Sequence, residues 1–460
     1  MKRREFLQLL AATGMTASLP FSIRNAHAAE PDHYFICVGA NGGWDPTSMM
    51  DPKGLNQAYP DRATGSYDGS VNKVALDATK RTGQIQWSAI PRINNSDTQT
   101  ARIEAQYDNF FTTYGDRMTV INGIDTGTNN HDTGRRHIFS GNMDMGYPNF
   151  AALYAGAVAP SLPMAFISNG GYDETAGLVA KARANNADYL AGLSTPNYRN
   201  TSNDIQNGYH FEADKGGERI DHYKLIEEAQ KARLVRQQAA ESLPLRERQL
   251  EEMALVRSEE NNLNAMKTHV DKLDELLAIT THNPGGERRQ SAEGFKSQAQ
   301  VAAASLKAGL SASAMLSDGG YDTHGNHDNA HYTNMGDLLE GLDYLMLALD
   351  TLDIAQKTTV IVGSDFGRTP FYNSGNGKDH WNVSSMLVIR PSGNGGKVFG
   401  ATDEQFNAVK VNATTGQPDS NGLVITPAHV QKQLRKLAGI DESLAAAGFP
   451  LAVEDISLFS

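Results

Sequence analysis

Short apolar runs rich in β-branched residues recur along the chain: FICV at 35–38, MTVI at 118–121, MAFI at 164–167, SAMLS at 313–317, TTVIVG at 358–363 and SMLVI at 385–389. Their apolarity is continuous rather than alternating, which predicts strands covered on both faces. Between them, 99–114, 148–158, 298–310, 335–353 and 426–438 carry helical spacing, and Pro427 after Thr426 marks a helix start. Strands alternating with helices predict an α/β fold built on a mostly parallel sheet flanked by helices.

The pattern changes between about 180 and 297, where the chain is polar, charge-rich and without strand signals. Leu263, Met266, Val270, Leu273 and Leu277 step by three and four residues and form one apolar stripe on a helix. Pro244 separates that helix from an earlier one around 218–241. The expected organisation is an α/β domain from 29–180 and 298–460, interrupted by a helical insertion at 181–297. The insertion serves as a lid or a protein-partner surface, or it packs on its parent domain. The Gly, Asn, Ser and Thr-rich stretch 391–424 reads as loop with a short hairpin.

The N-terminus adds an export signal. Lys2, Arg3 and Arg4, an apolar run from Phe6 to Leu19, and the small-residue pattern Ala26-His27-Ala28 follow one another in the order of a cleavable leader, 1–28. RREFLQ is similar to a twin-arginine signal, so the expected location is periplasmic or secreted, with no transmembrane segment in the mature chain. The single cysteine, Cys37, excludes an intrachain disulfide and reads as a buried core thiol. A net charge of −12 disfavours broad attraction to nucleic acid or anionic lipid. It leaves a small anionic substrate open, because a metal or arginine reverses the field inside a cleft.

Four polar clusters follow predicted strands, where open α/β sheets place their ligands. GANGGWD ends in Asp45, and GIDTGTNNHDTGRRHIFSG at 123–141 holds His131, Arg135 and His137 in a loop leading to a short helix. SDGGYDTHGNHDNAH at 317–331 places Asp322 two residues from His324, and His327 four residues from His331. GSDFGRTPFYNSGNGKDHWN at 363–382 carries Asp365, Arg368 and Asp379-His380. Carboxylates converging on one cleft repel unless a cation neutralises them, and mixed Asp and His donors suit Zn, Mn or related divalent ions. One or two such ions would activate a nucleophile and bind the oxygens of a phosphate or sulfate ester.

The twin-arginine start, GGWD, GGYDTH, SDFGRTP, DHW and the C-terminal TPAHVQKQLRKLAGI together resemble the DUF1501 family of exported bacterial proteins. That family is similar to the alkaline phosphatase and sulfatase superfamily. The resemblance implies an alkaline-phosphatase-like fold, with Asp45, Asp322, His324, Asp365 and His380 as metal ligands and His327 as an alternative to His324. It implies one or two divalent ions, with Zn, Mn, Mg and Ca not distinguished. It also implies Arg135 as the anion binder and His131 at or beside the nucleophile position. Two departures stand out: Phe366 follows Asp365 where a histidine is usual, and His131 occupies the place of a Cys or Ser. The expected function is metal-dependent ester hydrolysis, with a noncatalytic binding protein that keeps the fold as the alternative.

Overall fold

The computed structural model describes residues 31–63, 67–184, 290–391, 393 and 395–459, together with 212–213, 219–220, 222–243, 246, 250 and 262–277. The leader 1–28 and Pro244 lie outside the described residues.

The main strands are β1 (Tyr34–Asn41), β2 (Met118–Asp125), β3 (Phe166–Ser168), β4 (Lys181–Ala182), β5 (Ser313–Gly319), β6 (Thr358–Gly363), β7 (Val383–Ile389) and β8 (Lys397–Phe399). Among the described residues they form one eight-stranded sheet in the order β8-β2-β7-β6-β1-β5-β3-β4. Every neighbouring pair is parallel except β6–β7 and β7–β2, so β7 alone runs backwards. The sheet is therefore mostly parallel, as the strand–helix alternation predicts.

Continuous apolarity in β1 has the expected cause. Tyr34, Ile36, Val38 and Ala40 face a core shared with helices α1 (Asp97–Tyr114), α6 (Gln290–Lys307) and α7 (His327–Thr351). On the other face, the Phe35 ring meets Phe150 and Tyr154 of helix α3 (Phe150–Val158), with centroids 5.2 and 4.7 Å away. Cys37 lies on that face, fully buried, and burial pushes its thiol up to about 12. Helix α2 (His131–Ser140) covers the same layer, and Gln431 of helix α8 (Pro427–Leu437) donates to its Ile138 carbonyl at 2.6 Å.

Within the polar region, α4 (His222–Ala240) and α5 (Asn262–Leu277) are helical as predicted. Met266, Val270 and Leu273 are buried, the first two against Val301 and Ala304 of α6. The stripe on α5 thus packs on the parent domain. The Leu263 and Leu277 side chains lie outside the described residues. No described helix is long and apolar enough to cross a membrane.

Two differences from the sequence expectation have simple physical causes. The edge strands β4 and β8 are too short to form an apolar run. Helix α7 starts at His327 rather than 335, because its first turns bury polar side chains and so carry no apolar stripe.

Parallel strands place the ends of β1, β2, β5 and β6 on one edge of the sheet, and the reversed β7 enters from that same edge. A two-residue ladder pairs Gly367 with Trp381 and Arg368 with His380, tying the exit of β6 to the entry of β7. Helix α2 starts against this edge: a Cβ added at Gly134 would lie 2.4 Å from the Asp365 carbonyl oxygen. Gly134→Ala is expected to lower the urea unfolding free energy by about 1–3 kcal/mol, because backbone rather than a flexible side chain must shift.

Candidate metal centre

The exit of β1 turns on Gly42 and Gly43, with φ of +123° and +79°. A Cβ at Gly42 would sit 2.6 Å from the Asp322 amide nitrogen, so glycine is what lets the two loops touch. Both carbonyls accept from the buried Arg368, Gly43 from Nε at 2.7 Å and Gly42 from Nη2. Arg368 also donates to the Lys378 carbonyl at 3.0 Å and to Asp322 Oδ1 at 2.6 Å. Burial alone would raise Asp322, but Arg368 and then His380 hold it below the usual carboxylate range.

Around Asp322 stand three imidazoles. His380 Nε2 and His324 Nε2 lie 3.2 and 3.0 Å from its Oδ1, and His131 Nε2 lies 3.7 Å from its Oδ2. The two Nε2 atoms of His324 and His380 are 3.0 Å apart. Each ring is anchored on its far side: His131 Nδ1 to Asp365 Oδ2 at 2.7 Å, His324 Nδ1 to Asp379 Oδ1 at 2.7 Å, and His380 Nδ1 to the Asn129 carbonyl at 2.8 Å. Carboxylate and carbonyl oxygens only accept, so in the neutral rings each proton sits on Nδ1 and each Nε2 lone pair is turned toward Asp322. Lone pairs so close to a carboxylate repel unless a cation stands among them. The donor atoms of His131, Asp322 and His380 lie within 4.8 Å of one another, a spacing that fits one metal ion. Phe366 packs beneath, its ring 4.8 Å from His131 and 4.5 Å from His380.

Residues 32–418 match the DUF1501 model, whose description is "Protein of unknown function (DUF1501)". The chain belongs to the DUF1501 family. No curated relative matches it. Solved structures similar to this DUF1501 protein include Ps i-CgsB in complex with k-i-k-neocarrahexaose, at 9% identity over 93% of this chain and 75% of that chain, with a TM-score of 0.36. Another is the lipoteichoic acid synthase LtaP from Listeria monocytogenes, at 8% identity, 94% and 76% coverage and a TM-score of 0.35. A third is a putative sulfatase from Bacteroides thetaiotaomicron VPI-5482, at 11% identity, 90% and 74% coverage and a TM-score of 0.32.

In this DUF1501 chain, Asp45 and His327 sit in a separate buried network. Asp45 Oδ2 accepts from Lys378 Nζ at 2.7 Å and meets His327 Nε2 at 3.1 Å, while Oδ1 accepts from the Thr47 amide and hydroxyl at 3.0 and 2.6 Å. Burial would raise the Asp45 carboxyl, but Lys378 and then His327 hold it well below its ordinary range. His327 stacks on His331 with centroids 4.6 Å apart, and burial lowers both imidazoles, Asp45 opposing the shift in each. Here a lysine supplies the positive charge that a metal would otherwise bring.

The predicted site residues thus divide. The structure brings Asp322, His324, His380, His131 and Asp365 together; it puts Asp45 and His327 in the neighbouring network; and it pairs Arg135 with Asp132 on the first turns of α2. Lys378 and Asn129 escaped the sequence reading, since neither a lysine in GNGKDH nor an asparagine carbonyl has a spacing signal. The described metal set also leaves every His131 hydrogen bond on a carboxylate, with no hydroxyl partner among the described residues.

Lys378→Met leaves Asp45 buried without its main counter-charge and is expected to cost about 3–5 kcal/mol in urea unfolding at pH 7. In the wild type, the depressed Asp45 pKa gives stability that is complete above the unfolded value near 4 and is lost as pH falls below it. In the variant the carboxyl protonates at higher pH, so the penalty should shrink between about pH 7 and pH 4.5.

Proposed function

We propose that this DUF1501 protein is an exported, metal-dependent hydrolase of phosphate or sulfate esters. The convergence of three anchored imidazoles on Asp322 carries the reading. The donor set is rich in imidazole nitrogen, which favours Zn over Mn, Mg or Ca. A bound ion would supply a Lewis acid that neutralises developing negative charge and makes water nucleophilic near neutral pH.

The chain's own residues do the rest. Asp322, His131, His380 and His324 would hold the ion, and Arg368 fixes the Asp322 carboxylate through Nη2. The buried Phe366 ring packs against the rings of His131 and His380. Arg135 rests on Asp132, whose side chain is 80% exposed, and such a pair is worth little in water. Arg135 is thus able to exchange that partner for an anionic ester oxygen, beside the amide groups at the start of α2. RREFLQ and the Ala26-His27-Ala28 pattern support passage through the twin-arginine route to the periplasm or beyond.

A second reading, a noncatalytic binding protein, draws on Phe366 standing where another ligand is usual and on the Arg135–Asp132 pairing. Metal analysis after metal-replete, chelator-free purification decides the first step. About one equivalent or more of a divalent ion is expected, and less than about half an equivalent overturns the proposal. Aryl phosphates, phosphodiesters and aryl sulfates then decide the second. Metal-dependent turnover lowered about 100-fold or more by His380→Ala supports the hydrolase. Full metal occupancy without turnover of any of them favours the binding protein.

A further inference from the structure

We infer that Asp365 and Asp379 do not ligate the ion but act as positioning carboxylates. On this assignment they hold His131 and His324 so that one centre forms from Nε2 of His131, His324 and His380 together with Asp322. The inference rests on the metal-binding reading above and goes beyond it by fixing which acids touch the ion.

The geometry of the outer contacts leads here. Asp365 Oδ2 is already used twice, accepting from His131 Nδ1 at 2.7 Å and from the Gly42 amide at 3.2 Å. Asp379 Oδ1 is used likewise, by His324 Nδ1 at 2.7 Å and Asn373 Nδ2 at 3.1 Å. In each case the imidazole stands between that oxygen and Asp322, because Nδ1 and Nε2 leave the ring in different directions. A small ion bound to His131 Nε2 is therefore screened by the ring from Asp365 Oδ2. His380 follows the same pattern with a backbone acceptor, the Asn129 carbonyl at 2.8 Å.

The inner contacts agree in size. Asp322 Oδ1, His324 Nε2 and His380 Nε2 form a triangle with edges of 3.0, 3.2 and 3.0 Å. Ligands about 2.0–2.1 Å from a tetrahedral Zn ion stand about 3.3 Å from one another, so a small shift would seat the ion over this triangle. His131 Nε2, 3.7 Å from Asp322 Oδ2, shares a 4.8 Å set with Asp322 and His380 that does not include His324, so bringing both His131 and His324 onto one ion requires a ring to move inward. Carboxylates that bind the far nitrogen of a metal-bound imidazole fix its tautomer and raise its basicity.

The rival assignment makes Asp365 a ligand through Oδ1, which is buried and has no hydrogen-bond partner. Cobalt separates the two, because the visible bands of bound Co(II) report the number and kind of its ligands. Metal-stripped full-length protein is titrated with Co(II), and Zn(II) affinity is measured by competition with a chromophoric chelator. Asp365→Asn and Asp379→Ala are each expected to weaken affinity by about 10–100-fold, saturating at wild-type stoichiometry with wild-type Co(II) bands. His131→Ala and His324→Ala, which remove ligands, are expected to change the bands. Bands or stoichiometry altered by Asp365→Asn as they are by His131→Ala would make Asp365 a ligand and overturn the inference. Wild-type affinity in both carboxylate variants would overturn it as well. Asp379 is half exposed, so its variant remains a fair test should the buried Asp365 variant fold poorly by circular dichroism. Wild-type protein that takes up neither Co(II) nor Zn(II) sinks the metal reading itself, a failure distinct from the other two.

Discussion

The polar edge of this sheet depends on one guanidinium. Arg368 is fully buried, and each of its three nitrogens has an acceptor: the carbonyls of Gly42 and Gly43 leaving β1, the carbonyl of Lys378 ahead of β7, and the Asp322 carboxylate beyond β5. A planar fork of fixed donors suits that task, whereas a lysine ammonium has neither the reach nor the geometry. Burial lowers the Arg368 pKa, and Asp322 opposes the shift. The same contact that makes a buried arginine tolerable thus holds Asp322 ionised in front of the imidazoles.

Around that fork the chain arranges two electrostatic solutions side by side. In the closed one, Asp45 is matched by Lys378 and His327 with no exposure of either acid or lysine. In the open one, Asp322 and its imidazoles are partly exposed and their Nε2 atoms are left facing one another. The closed network braces the loop that carries Asp379 and His380, since Lys378 directly precedes them. Rigidity behind and unsatisfied donors in front is the arrangement that ligand sites require.

Much of the fold was legible because it follows from one-dimensional patterns. TTVIVG at 358–363 reads as a strand covered on both faces, and β6 spans those same residues. The strand-end clusters were legible too, since parallel strands leave their polar exits on one edge. Partner choice was not. Asp45 carries the same local signal as any strand-end acid, and only three-dimensional proximity reveals that Lys378, 333 residues away, has taken it. His131 is similar: the family resemblance implies a place at or beside the nucleophile position, while its surroundings, Asp365 on one ring nitrogen and Asp322 near the other, are set by α2 docking beside β6 through Gly134. The start of α7 stayed hidden because its polar face is buried against Asp45 rather than in the apolar core.

The thiol of Cys37 has a consequence for handling and for the life of the molecule. Burial pushes its pKa far above the ordinary thiol value, which keeps it protonated at pH 7, and that sulfur lies beneath α3 out of reach of solvent. Alkylating reagents can mark the sole sulfhydryl only when α3 lifts away or β1 comes undone. Labelling kinetics at this one atom therefore clock the opening of the layer between β1 and α3, with no engineered probe.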